Sequence, residues 1–204
     1  MTPGELHVWP LALAELPETL LPPASAAELH RAASFRCEEL RRAHLLAHRA
    51  LRAILQTVTR APLDFAVAAH GKPFLPAAPD VQFNLSHSGE MALVAVAMDT
   101  AVGADIERIR PLSDADALAE RYFPASEASA WAALPAAERP QEFFRRWTRI
   151  EAALKARGIG LLGLGTELDG NWTVTEIAVP AAYAAAVAAP RAAMPVRLHR
   201  FGET

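Results

Sequence analysis

The chain of 204 residues has one cysteine, Cys37. A single thiol excludes an internal disulfide and any zinc site built on cysteines, and the expected setting is a reducing cytoplasm. No apolar run reaches the ~18 residues that a membrane span needs. The alanine-rich stretch 181–189 is short and only weakly hydrophobic. Met1 to Pro10 lacks the basic-then-apolar order of a signal peptide. There is no excess of positive charge either. With 20 Lys and Arg against 23 Asp and Glu, the net charge is −3, so no global basic field attracts nucleic acid. The rest is ordinary for a globular protein: 52% apolar and 21% charged residues, in a length suited to one large domain or two small ones.

Periodicity suggests mixed α and β structure. Residues 5–9 alternate polar and apolar and predict an opening strand. Ser25 precedes a helical stretch over 26–59, read as one or two helices ended by Pro62, with 43–60 the firmest part. Short strands are expected at 65–68, 82–85, 91–98 and 101–106. Turns are expected at 70–73 and over Ser86-His87-Ser88-Gly89. Helices are expected at 114–121, 126–131 and 141–157, the last closed by Gly158, and late strands at 171–179 and 182–188. The order helix, turn, apolar strand occurs twice, so the strand at 91–98 would correspond to that at 182–188. This predicts an α+β fold of two pseudo-symmetric halves, 1–99 and 100–204, with a ligand cleft between them.

Four motifs offer chemistry. In Gly103-Ala104-Asp105-Ile106-Glu107, alternate strand residues share a face, so Asp105 and Glu107 point the same way. Hard oxygen donors of this kind suit Mg²⁺, although spacing alone favours two solvated acids. In Trp147-Thr148-Arg149-Ile150-Glu151-Ala152-Ala153-Leu154-Lys155, Glu151 and Lys155 are adjacent on one helix face. They fit a surface ion pair or a carboxylate beside a phosphate-binding ammonium. Trp147 reads as core. Phe83-Asn84-Leu85-Ser86-His87-Ser88-Gly89, preceded by Gly71-Lys72-Pro73, fits a plain turn or a phosphate-binding loop. Neighbouring residues of an extended chain face apart, so Ser86 and His87 are poorly placed as a hydrolase pair. Among the arginines 31, 36, 41, 42, 49 and 52, Arg41 and Arg49 share a helix face and could fork a phosphate, though a solvated face explains most of the set.

The order of these motifs is more specific than any one of them. Gly-Lys-Pro, then Phe-Asn-Leu-Ser-His-Ser, then Gly-x-Asp-Ile-Glu, then Trp-x-x-x-Glu-x-x-x-Lys resembles the 4′-phosphopantetheinyl transferase superfamily, in particular its surfactin-type (Sfp-type) branch. The similarity runs from about Phe35 to Gly165. It implies an enzyme that moves 4′-phosphopantetheine from coenzyme A to a serine of an acyl or peptidyl carrier protein, as in fatty acid, polyketide or non-ribosomal peptide synthesis. It also implies coenzyme A in a cleft between two similar halves and a monomer carrying both. Carried over, Asp105, Glu107 and Glu127 become Mg²⁺ ligands, Glu151 the general base and Lys155 the lysine near the phosphates. Lys72, Ser86 and His87 match positions around the adenosine 3′-phosphate, with Arg41 and Arg49 fitting the same role.

One position departs from the family's pattern, which carries lysine where this chain has Ile150. Loss of a charge-assisted hydrogen bond there would remove ~1.5–3 kcal/mol. The resemblance therefore admits three outcomes: a slow enzyme, an enzyme compensated by another cation, or a non-catalytic module that binds coenzyme A or a carrier. Retention of the acidic set, Glu151 and Lys155 favours activity. Leu112, Tyr122 and Phe123 fit either a carrier-docking surface or core packing.

Overall fold

The computed structural model describes residues 1, 3–160, 164, 171–190 and 194–203. Gly165, where the resemblance ends, lies outside the described residues. The first strand, β1 (Leu6–Ala12), is followed by two short 3₁₀ turns and two helices, α1 (Ala26–Ala33) and α2 (Glu38–Val58). Ser25 starts α1 through a capping box: its Oγ accepts from the Glu28 N–H, and the Glu28 carboxylate accepts from the Ser25 N–H. These bonds satisfy two of the amides that a helix start leaves unpaired. Next come β2 (Ala66–Val67), β3 (Pro73–Phe74), β4 (Val81–Ser88), β5 (Met91–Met98) and β6 (Gly103–Arg108). Three helices follow, α3 (Ala115–Tyr122), α4 (Ala125–Ala132) and α5 (Arg139–Arg157), and then β7 (Trp172–Glu176), β8 (Tyr183–Pro190) and β9 (Val196–Leu198). Gly158 ends α5 with φ 67°, the left-handed conformation that glycine adopts without steric cost.

The strands form a four-stranded sheet ordered β4-β5-β1-β9, a three-stranded sheet ordered β6-β8-β7, and a small ribbon β2-β3. β9 runs parallel to β1, so the end of the chain completes the first sheet. One face of that sheet, including Leu11, Phe83 and Val94, packs on Leu46, Leu51 and Leu55 of α2. The opposite face presents Val8, Leu93 and Ala95 to Ala104, Ile106 and Val187 of the second sheet. The far face of the second sheet, with Ala186 and Ala188, packs on Ala152, Ala153 and Ala156 of α5. The layers are therefore helix, sheet, sheet, helix, a mixed α+β fold in which each sheet is backed by one long helix. Among the described residues, no helix is long and apolar enough to cross a membrane.

The expected turn at Ser86–Gly89 is mostly strand. β4 continues to Ser88, paired with Met91, and only Gly89 (φ 56°) and Glu90 make the bend. The polar content that suggests a loop arises because one face of β4 serves a neighbouring strand. Asn84 Oδ1 accepts from the Ala104 N–H at 2.9 Å, and Ser88 Oγ from the Arg108 N–H at 3.1 Å. The edge strand β6 thus satisfies backbone donors with side chains of β4 where a ladder partner is missing. The alternating residues Phe83, Leu85 and His87 face α2 instead.

Candidate active site

Asp105 sits in the middle of β6 and is 2% exposed. Its Oδ1 accepts from Lys155 Nζ at 2.5 Å and from Ser86 Oγ at 2.8 Å. Its Oδ2 is buried and, among the described residues, has no hydrogen-bond partner. Two residues on, Glu107 leaves the same face, and its Oε2 accepts from Ser88 Oγ at 2.8 Å. Burial pushes the Glu107 carboxyl above the usual range and the nearby Asp105 charge adds to this, against the opposing pull of Ser88, Lys155 and Arg110. Glu151 of α5 is likewise raised by burial; Lys155 opposes the shift, while Asp105 and Glu107 reinforce it. Three carboxyl groups with one shared ammonium therefore occupy one field.

Gly103 makes this possible. A Cβ there would lie 2.0 Å from the Ala152 carbonyl oxygen and 2.4 Å from the Ala156 nitrogen. The backbone of α5 rests directly on β6, and this contact lowers Glu151 and Lys155 onto the acids. The glycine that opens the Gly-x-Asp-x-Glu motif is a packing requirement for the chemistry beside it.

A cavity of about 580 Å³ adjoins the cluster, with Ser86, His87, Arg31, His44, His48 and Pro73 among its lining. This is within the usual size of small-molecule sites. Ser86 joins the two regions, since it lines the cavity and donates to Asp105.

The other residues expected from the sequence are placed as follows. Lys72 is turned inward: Nζ donates to the carbonyls of Val102 and Ala156 at 3.0 and 3.2 Å, and burial pushes its pKa down to about 8. Arg41 binds the Phe35 carbonyl and Glu38. Arg49 binds the carbonyls of Pro22 and Leu21 and anchors the segment ahead of α1. Glu127, on α4, is ion-paired with Arg146. Among the described residues, the acids 105, 107 and 127 do not converge to ligand distance; Glu151 is the third carboxyl that shares the field. Ser86 and His87 point to opposite faces of β4, one to Asp105 and the other to His44.

Ile150 does not face the cluster. It is 3% exposed and packs with Phe143, Phe144 and Leu154 in an apolar core, so an ammonium there would have no phosphate to meet. Trp147 stacks on Phe143, with ring centroids 5.8 Å apart. Phe123 is buried in the same core, and Tyr122 meets Trp147 edge to face. In the sequence, Asn84 and Ser88 stood out only as part of the candidate phosphate-binding loop and Arg31 only as one of six arginines, while His44 and His48 had no expected role. The repeat of Asn84, Ser86 and Ser88 at every second position was the available sign for the first two; His44 and His48 offered only their spacing of four residues, and His87 joined them once β4 was placed against α2.

One buried acid and two half-buried ones around a single ammonium, beside a cavity of small-molecule size, suit phosphoryl-group transfer. The sequence model of the 4′-phosphopantetheinyl transferase superfamily matches residues 101–188, which include the Asp105 strand and all of α5. The chain is 38% identical over 182 residues to 4′-phosphopantetheinyl transferase HetI of Nostoc sp., covering 84% of this chain and 76% of that protein. It belongs to the 4′-phosphopantetheinyl transferase superfamily. It is also similar to 4′-phosphopantetheinyl transferase Sfp of Bacillus subtilis, 33% identical over 102 residues, covering 50% of this chain and 44% of that one. For 4′-phosphopantetheinyl transferase AcpT of Salmonella typhimurium the identity is 37% over 124 residues, covering 58% and 60%.

Proposed function

We propose that the chain transfers 4′-phosphopantetheine from coenzyme A to a serine hydroxyl of an acyl or peptidyl carrier protein and releases adenosine 3′,5′-bisphosphate. The observation that carries this reading is the Asp105 carboxylate, with one oxygen held by Lys155 and Ser86 and the other buried without a partner among the described residues. An orphaned anionic oxygen next to two acids raised by burial is a fitting seat for a hard divalent cation. Asp105 and Glu107 would hold Mg²⁺; Glu127 joins them only by leaving Arg146. When bound, Mg²⁺ supplies charge neutralisation on the pyrophosphate and on the leaving bisphosphate.

The chain's own residues account for the remaining steps. Glu151, made more basic than an ordinary glutamate by burial, takes the proton of the carrier serine. The serine oxygen then bonds to the β-phosphorus, the one bearing pantetheine. The bond from that phosphorus to the bridging oxygen breaks, and the electron pair leaves with the bisphosphate. The Lys155 ammonium, held beside Asp105, would stabilise that developing charge. The cavity takes the adenosine end of coenzyme A, with Ser86 and His87 on its wall and Arg31 in reach of phosphate. Lys72, Arg41 and Arg49 join only by exchanging the carbonyls they hold. The halves 1–99 and 100–204 would then meet at the β4–β6 seam, with β9 reaching back to the first. We infer a cytoplasmic monomer. The burial of Ile150 supports catalysis over a module that only binds coenzyme A or a carrier.

The test is incubation with coenzyme A, Mg²⁺ and apo-carriers of the acyl and peptidyl kinds. A carrier mass gain of one phosphopantetheine is expected. No gain on any carrier, with coenzyme A still bound, overturns transfer.

A further inference from the structure

Three imidazoles outside the carboxyl cluster meet at the cavity. His44 and His48 lie four residues apart on α2, so both rings leave one helix face, the spacing by which helical histidines chelate a metal. His87 reaches them from β4. Ring centroids are 4.2 Å apart for His44 and His48 and 5.9 Å apart for His44 and His87. One ring nitrogen from each lies within 4.8 Å of the others, and among the described residues no other His, Cys, Asp or Glu trio converges in this way. Burial pushes the His48 pKa down to about 4 and lowers those of His44 and His87, with nearby Arg31, Arg52 and Lys155 adding to the effect. These shifts favour the neutral ring, the form in which imidazole binds metal.

We propose that His44, His48 and His87 form a binding site for one divalent transition-metal ion, with the fourth position open to the cavity. Nitrogen donors select Zn²⁺, Co²⁺, Ni²⁺ or Cu²⁺ over Mg²⁺, which prefers the oxygens of Asp105 and Glu107. Tetrahedral bonds of about 2.0–2.1 Å call for nitrogens closer than they now stand. His48 and His87 are only half-buried, which leaves their rings room to close that gap. An ion so held ties α2 to β4 and stabilises the folded chain in proportion to its binding.

Untagged protein is titrated with Co²⁺ in excess Mg²⁺, so that the carboxylates are occupied. The expected result is one Co²⁺ per chain, visible ligand-field absorption of a tetrahedral nitrogen site, displacement by Zn²⁺, and a higher melting temperature with Zn²⁺. His48→Gln and His87→Asn, each checked for fold by circular dichroism, should weaken Co²⁺ binding by at least about tenfold, the loss produced by removing even a supporting partner of a metal ligand. Asp105→Asn should leave Co²⁺ binding intact. Absence of the absorption, its persistence at full strength in both histidine variants, or its loss in Asp105→Asn overturns the site.

Discussion

Lys155 Nζ lies 2.5 Å from Asp105 Oδ1, and Asp105 Oδ2 has no hydrogen-bond partner among the described residues. The ammonium comes from α5 and the acid from β6, so the pair exists only because these elements touch. The lysine commits one carboxylate oxygen and leaves the other available. Removing the acid charge should cost both the metal seat and the orientation of Lys155. Asp105→Asn is expected to lower Mg²⁺-dependent transfer by at least ~100-fold, about 3 kcal/mol of transition-state stabilisation. Glu127→Gln, by contrast, breaks an ion pair with Arg146 on α5 and should change the rate less than ~10-fold. Steady-state kinetics on the two variants separates the roles, and equal losses would place Glu127 beside Asp105 in the reaction.

Glu151 offers a pH signature. Its carboxyl is raised by burial above the ordinary 4.5, so the acid limb of kcat/KM should turn at a pH above the normal glutamate range. Glu151→Gln should remove that limb and reduce kcat by ~10²–10⁴-fold. A variant that keeps both rate and limb would assign the proton transfer elsewhere.

Glu107 links catalysis to stability. A folded-state pKa above the unfolded value contributes stability that is full below pH 4.5 and is lost as pH rises through the raised value. At neutral pH the metal-free protein is thus strained by its own acids. Glu107→Gln keeps an oxygen for Ser88 to donate to and removes the repulsion. It should raise the metal-free melting temperature by a few degrees, on the order of 1 kcal/mol, while depressing transfer. Thermal melts with and without Mg²⁺ check this: the cation should stabilise wild type more than the variant.

Gly103→Ala tests the contact between α5 and β6. The new Cβ meets helix backbone, which cannot swing aside as a side chain can. A loss of ~1–3 kcal/mol is expected, and Glu151 and Lys155 would lift away from Asp105, so activity should fall further than stability alone explains. Denaturant unfolding beside kinetics distinguishes the two effects.

Position 150 reverses an expectation. A lysine there follows the family's pattern and, on sequence alone, restores a phosphate clamp. In this chain the side chain is enclosed by Phe143, Phe144 and Leu154, so Ile150→Lys buries an unpaired ammonium. The expected outcome is a loss of several kcal/mol with no gain in rate. A faster enzyme of unchanged melting temperature would refute the enclosed position.

The local parts of this protein were legible from residue order. Alternation marked β1 and apolar runs marked β5 and β8, Ser25 and Gly158 marked helix ends, and the two-residue step put Asp105 and Glu107 on one face. Motif order identified the superfamily where no single motif did, because each motif alone also fits ordinary surface chemistry.

What only the tertiary structure decided lies between elements distant in sequence. Polar Ser86 and Ser88 read as a loop because nothing local reveals that β6, some 20 residues on, needs their hydroxyls. Arginines 41 and 49 and Lys72 looked free for phosphate, yet backbone carbonyls from other segments claim all three. Glu127 and Glu151 are equally acidic on paper; one was drawn to Arg146 and the other to the shared field. A sequence specifies which groups exist and which face of their own element they leave. Whether a charge meets a cation, a carbonyl or nothing depends on what packs opposite, and that is fixed by the layers of the fold.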